Sequence, residues 1–255
     1  MTWILLRGLT RESRHWGDFA PQFARYTAGE KVIVLDLPGN GEFFSRSSPT
    51  SVRSMVAFVR GRLQVQGLQP PYRLLAMSLG GMVAVDWAQQ YPQDIAGLVL
   101  INTSMRPFNS TTQRLRPANW LQLALMAARW GNAGHADRAE RAIHRLTCNQ
   151  SLSRDKDLAA WLRIRRDAPV SAANAARQLW AVARFSCATS PPDCPTLVLS
   201  SAMDHLVNPV CSARLASAWQ AEHLQHPWAG HDLSHDDADW VCRQVAGWLG
   251  ADSEK

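Results

Sequence analysis

Leu74-Leu75-Ala76-Met77-Ser78-Leu79-Gly80-Gly81 joins two patterns within a few residues. Tyr72 to Met77 is an apolar run as long as a buried strand, and Met82 to Tyr91 carries Met82, Val83, Ala84, Val85 and Trp87 in a helical arrangement. Between them a serine and two glycines demand a sharp turn. A serine held there lifts its hydroxyl above the edge of a sheet, while the N–H of Leu79 opens the helix and points at the same spot. One turn therefore offers a nucleophile and half of a site for a negatively charged oxygen. The alternative use of such a serine is to cap an ordinary core helix.

Ala76-Met77-Ser78-Leu79-Gly80 resembles the nucleophile elbow of the α/β-hydrolase family, G-x-S-x-G, with alanine at the first position adding only a methyl group to the turn. Residues 2 to 6 read as a buried strand ending in Arg7-Gly8-Leu9-Thr10, followed by an amphipathic helix from about His15 to Tyr26. The resemblance makes this the oxyanion loop, in which the residue after the glycine supplies a second N–H. Leu9 would thus join Leu79. Arg7 stands where the family often has histidine, and a paired structural arginine under the loop is the expectation. Asp36-Leu37-Pro38-Gly39-Asn40-Gly41, closing a strand from Lys31 to Leu37, is very similar to the family's D-x-P-G-x-G, and Asp36 is expected to serve the turn.

Ser51 to Gln66 reads as a helix and Ile95 to Ile101 as another all-apolar strand, so strands alternate with helices. That alternation predicts an α/β fold, a doubly wound and mostly parallel sheet of about six strands covered on both faces. Family members commonly begin with an antiparallel hairpin, which is expected to be absent here because the oxyanion strand starts at residue 2. Residues 104 to 190 break the rhythm with helical stretches at about Gln113 to Trp130, His135 to Leu146, Ser153 to Arg166 and Val170 to Phe185. The resemblance makes them a helical cap (104–190) inserted into a hydrolase core (1–103 and 191–255). Of its apolar residues Trp120, Leu123, Leu125, Met126, Trp130, Trp161, Leu162, Leu179, Trp180 and Phe185, most are expected to pack and a minority to line an acyl pocket.

Pro195 to Ser201 resumes the buried-strand pattern and leads to Asp204, which by itself reads equally well as a turn former or an N-cap. The resemblance assigns it as the triad acid. Glu222 to Trp228 is the last strand, and Ala229-Gly230-His231-Asp232 leads from it to a closing helix, Asp236 to Leu249. His231 matches the family's base, commonly Gly-His after the final strand, with His235 in reserve. The other histidines read as surface or cap residues whose spacing does not suggest a metal site.

Five cysteines without C-x-x-C spacing read as free buried thiols in a reducing compartment, and a cytoplasmic protein is expected. The N-terminus shows no secretory leader pattern, and no window approaches the roughly 20 apolar residues of a membrane span. The net charge of +6 is concentrated: residues 105 to 190 hold 14 Lys and Arg against 5 Asp and Glu, leaving 13 against 16 elsewhere. Without an aromatic-glycine RNA signature, zinc-finger spacing or a basic zipper, this patch does not read as a nucleic-acid surface.

The expected chemistry is hydrolysis of a small acyl ester through an acyl-enzyme, with Ser78, His231 and Asp204 as triad and no cofactor or metal. Thioester or carbon–carbon bond hydrolysis would use the same groups, and a non-catalytic, receptor-like role is the alternative of another class. Arg138, Arg141 and Arg145 share one helix face, and Arg163 and Arg166 form a second pair. A cationic roof would attract an acidic acyl carrier protein. In length, elbow and cap the chain is similar to carboxylesterases that demethylate a pimeloyl-carrier methyl ester. The competing expectation is a solvated face partly neutralised by Asp137, Glu140 and Asp167.

Overall fold

The computed structural model describes residues 1–130 and 133–252. Six strands form one sheet: β1 (Thr2–Leu6), β2 (Lys31–Leu35), β3 (Tyr72–Met77), β4 (Ile95–Ile101), β5 (Thr196–Ser201) and β6 (Glu222–His226). Their order is β2-β1-β3-β4-β5-β6 and every pairing is parallel. Strands this apolar must be covered on both faces. In β1, Ile4 and Leu6 point into a layer with Val52, Met55 and Val59 of α2 (Val52–Val65) and Leu79 and Val83 of α3 (Leu79–Gln90). Trp3 and Leu5 point the other way, onto Phe19 and Phe23 of α1 (Phe19–Tyr26) and Val241, Val245 and Trp248 of the closing helix. Each such side chain contributes roughly 1.5–3 kcal/mol of burial free energy.

The crossover from β4 to β5 holds α4 (Thr111–Arg114), α5 (Trp120–Ala128), α6 (Ala136–Thr147), α7 (Arg154–Asp167) and α8 (Ala172–Arg184). These helices have a small core of their own, including Trp130, Ile143, Cys148, Trp161, Ile164 and Ala175. Ala181 and Phe185 instead belong to the layer over the sheet, which seats α8 on it. Three helices complete the chain: α9 (Val210–Trp219), α10 (Leu233–Asp236) and α11 (Ala238–Asp252). Among the described residues no helix is long and apolar enough to cross a membrane.

Several boundaries depart from the sequence reading. The stretch from Gln113 to Trp130 is broken, because Pro117 starts a single tight turn between α4 and α5 and cannot lie inside a helix. The helix expected from His15 divides at Gly17, whose φ is +52°. β2 stops at Leu35 and β6 at His226, α9 went unforeseen, and the closing helix begins at Ala238. The insertion also packs less apolar surface than expected: Trp130, Trp161 and Phe185 are buried, but Trp120, Leu125, Leu179 and Trp180 are exposed. An outer-layer helix as uniformly apolar as α5 cannot cover every face.

Candidate active site

Ser78 lies between β3 and α3 with φ +54° and ψ −116°, a conformation that a residue with a Cβ adopts only under constraint. The constraint is visible. Its N–H donates to Ile101 O at 3.1 Å, its C=O accepts from Thr103 Oγ1 at 2.9 Å, and the helix starts immediately after it. Gly80 lets α3 press against the neighbouring strand: a Cβ there would lie 2.4 Å from Leu6 O. Ala76, the departure from the glycine pattern, is fully buried in the core.

The loop after β1 abuts this turn. A Cβ added to Gly8 would sit 3.2 Å from Ser78 Cβ and 3.6 Å from its Oγ. Thr10, at φ +55°, donates its N–H to Oε1 of Gln178 at 2.9 Å, so α8 fixes the loop's far end. Gln178 is fully buried and donates to Asn40 and Ser48 as well. Among the described residues nothing accepts from the N–H of Leu9 or Leu79. Two unpaired donors beside a hydroxyl are what an oxyanion requires.

Asp204 and His231 are brought together from the loops after β5 and β6. His231 Nδ1 lies 2.7 Å from Asp204 Oδ2, both residues are buried, and Asp204 Oδ1 accepts from the N–H groups of Leu206 and Val207 at 2.8 and 2.9 Å. An ionised carboxylate only accepts, so Nδ1 carries the proton and Nε2 is left as the basic nitrogen. Burial opposes a charge on His231, but the charge and hydrogen bond of Asp204 outweigh it. With Asp232 adding and Arg7 subtracting, the imidazole pKa ends above its ordinary value.

Asn102, in left-handed conformation at the end of β4, donates to His231 O at 2.8 Å and to Ser201 Oγ at 2.9 Å, and accepts from Ser201 N–H at 2.9 Å. The next residue, Thr103, holds Ser78 O. Consecutive residues thus anchor the backbones of Ser78 and His231. Among the described residues the Ser78 hydroxyl and His231 Nε2 have no hydrogen-bond partner, so the serine–histidine bond is not made; such bonds tighten in substrate complexes. Sequence reasoning missed Asn102, for which a lone asparagine after a strand gives no signal beyond turn preference.

Arg7 is buried beneath the loop, with Nη1 3.0 Å from Asp232 Oδ1 and Nη2 2.5 Å from Oδ2, and its guanidinium lies over Trp16 at 4.8 Å. Burial would raise the Asp232 pKa, but Arg7 overrides it and holds the carboxyl well below the usual range. Asp36 accepts from the N–H groups of Ser13 and Glu42, and at Gly41 (φ +50°) any Cβ would collide with that carboxylate.

Of the remaining histidines, His135 at the N-cap of α6 and exposed His205 fit the expectation, and three do not. His15, His144 and His226 are buried instead of superficial, and His235, the reserve base, faces Asp157 at 3.1 Å. All five cysteines are free. Arg138, Arg141, Arg145, Arg163 and Arg166 are exposed. Of their expected neutralisers, Glu140 is buried between Arg11 and Arg165, Asp167 pairs with Arg14, and only Asp137 serves the face, through Arg141.

Known proteins give this arrangement a context. A Pantoea ananatis protein provisionally named carbamate hydrolase RutD is 28% identical over 97% of this chain and 88% of its own. A pimeloyl-[acyl-carrier protein] methyl ester esterase of Xanthomonas oryzae is 32% identical over 40% of this chain and 37% of its own. The enol-lactonase of Burkholderia xenovorans superposes with a TM-score of 0.78 at 20% identity, covering 98% of this chain and 91% of that one. The model of the alpha/beta hydrolase fold matches residues 4–238, and the chain belongs to that family.

Proposed function

We propose that this hydrolase cleaves carboxylic esters through an acyl-enzyme. His231 Nε2 takes the proton of Ser78 Oγ as the oxygen attacks the ester carbonyl, then returns it to the departing alcohol. Asp204 holds the Nδ1–H tautomer and stabilises the imidazolium. The N–H groups of Leu9 and Leu79 bind the tetrahedral oxyanion, each worth about 3 kcal/mol of barrier. Water activated by the same imidazole then frees the acid. The observation that carries this reading is the buried 2.7 Å bond from His231 to Asp204, which leaves the other nitrogen basic. Residues 104–190 act as the cap, in keeping with the contact of α8 on the oxyanion loop through Gln178. Five free thiols favour the cytoplasm as its location.

The purified protein should turn over short-chain aryl and alkyl esters. Ser78→Ala should reduce kcat on the order of 10⁶-fold, as loss of a serine nucleophile does elsewhere. A serine-directed phosphonate should label the Ser78 peptide stoichiometrically. Wild-type turnover in Ser78→Ala would exclude the mechanism, and labelling without turnover would indicate a binding protein.

A second reading concerns what carries the acyl group. Among the described residues Arg138, Arg145, Arg163 and Arg166 have no ion-pair partner, so the face is less neutralised than its sequence suggests. An acidic acyl carrier protein fits such a surface, and the Xanthomonas relative is named for a carrier-linked ester.

A further inference from the structure

At the seam where α6 and α7 meet α10, the fold collects a second group of imidazole, thiol and carboxylate side chains. One donor atom from each of His144, Cys148 and His235 lies within 4.8 Å of the other two. Asp157 adds a carboxylate oxygen 3.1 Å from His235 Nε2 and 3.6 Å from His144 Nε2. His144 is 1% exposed, and among the described residues neither of its ring nitrogens has a hydrogen-bond partner. Beyond the 3.6 Å approach of Asp157, this buried imidazole has no polar group at hydrogen-bonding distance to replace what burial removes.

We propose that His144, Cys148, His235 and Asp157 bind one zinc-class divalent ion. Cys148 caps the C-terminus of α6, its N–H donating to His144 O at 2.8 Å, which keeps it one turn beyond His144. The Trp161 ring lies 5.3 Å from that of His144 and 5.6 Å from that of His235 and covers one side of the group, while His235 and Asp157 keep a partly exposed edge. Ser153 Oγ donates to Asp157 Oδ2 at 2.6 Å and aims the carboxylate. Cys148 binds as thiolate, its proton leaving to solvent. Thiolate and carboxylate together balance the dication, so the buried site acquires no net charge. Two imidazoles and a thiolate select a borderline ion such as Zn²⁺ or Co²⁺ over Mg²⁺ or Ca²⁺, which require oxygen donors. Bonds of about 2.0–2.3 Å place tetrahedral ligands roughly 3.5 Å apart, so the side chains close by about 1 Å.

The ion would act as a clamp outside the reaction. The same seam is already stitched by Asp232 N–H to Thr147 O at 2.7 Å and by Asn149 N–H to the Asp236 carboxylate, and His235 is four residues beyond His231. A metal here fastens the inserted helices to the loop that carries the base.

The test uses the full chain, free of any histidine tag and stripped with chelator. Titration with Zn²⁺ should give one ion per chain. Co²⁺ should give the visible bands of a tetrahedral ion together with a thiolate charge-transfer band. Saturating Zn²⁺ should raise the thermal midpoint by about 5 °C. Cys148→Ser should abolish the charge-transfer band, and His235→Ala should weaken binding on the order of 100-fold, both variants keeping wild-type circular dichroism. If either fails to fold, protection of Cys148 in the wild-type chain from alkylation by Zn²⁺, mapped by mass spectrometry, decides instead. Sub-stoichiometric uptake, a Co²⁺ spectrum without the thiolate band, uptake unchanged in folded His235→Ala, or Cys148 left unprotected would each overturn the proposal.

Discussion

Among the buried places where imidazoles meet carboxylates in this molecule, two have opposite consequences. At His231 each polar atom on the Asp204 side is committed: Nδ1 to Oδ2, and Oδ1 to two backbone N–H groups. At His144 neither ring nitrogen has a hydrogen bond among the described residues, and the Asp157 carboxylate stands off at 3.6 Å from Nε2. A histidine whose one nitrogen is fixed becomes a directed base at the other. One with neither fixed keeps both nitrogens open to a ligand. Residue type alone, shared by the two places, decides neither role; the number of satisfied hydrogen bonds does.

The sharpest way to break this contrast is to remove one carboxylate at a time. Asp204→Asn preserves shape but lets the side chain donate to Nδ1, favouring the wrong tautomer, and should lower kcat on the order of 10⁴-fold. Asp157→Asn should leave ester turnover within a few-fold of wild type. Steady-state kinetics on one aryl ester checks both, and equal losses would mean that the two places are a single functional unit.

Next in size is a stability effect at the joint between them. Asp232 receives Arg7 from beneath the loop after β1 and donates its own N–H to Thr147 at the end of α6. Arg7→Met removes the cation from a pair that is almost wholly buried and strands the carboxylate, which should cost about 3–5 kcal/mol in urea unfolding. The double variant Arg7→Met/Asp232→Leu should recover most of that loss, because the cost of breaking such a pair exceeds the pair's net worth.

The strands and the elbow were legible in the sequence because their signals are local. β3 and β4 match the apolar runs residue for residue, and Ser78 followed by two glycines marks the turn. Asp204 and His231 became legible through motif and chain order, since nothing local separates Asp204 from a turn-forming aspartate. What escaped depends on long-range pairing. Asn102, Gln178 and the identity of Asp232 as the partner of Arg7, whose pairing itself is expected, depend on distant parts of the chain, and an exposed and a buried glutamate are identical letters, so sequence alone does not separate Glu140 from a solvated face. Pro117 was a readable breaker that the helical pattern around it concealed.

A smaller effect separates function from stability at His231. Its pKa is raised above the ordinary value near 6.5, chiefly because Asp204 outweighs burial, so the acid limb of kcat/KM should have its midpoint above about 6.5. The same shift contributes stability that is full below the unfolded value and is lost as pH rises through the folded one. Turnover should therefore rise with pH across the window in which this contribution fades. A pH–rate profile paired with urea midpoints checks the sign; an acid limb below 6.5 would show that burial wins.

The smallest expected effect lies at the surface. Arg141 is exposed and paired with Asp137, and such pairs add at most about 1 kcal/mol, so Arg141→Glu should leave both the thermal midpoint and turnover of a free ester nearly unchanged. If the arginine face receives an acidic carrier, the same substitution should raise KM for a carrier-linked ester several-fold at low salt, with the difference shrinking as ionic strength shortens the Debye length from about 30 Å at 0.01 M to about 8 Å at 0.15 M. A free ester, which carries no such field, serves as the internal control. Equal salt dependence for both substrates would leave the arginines as solvated charge and confine recognition to the cleft above Ser78.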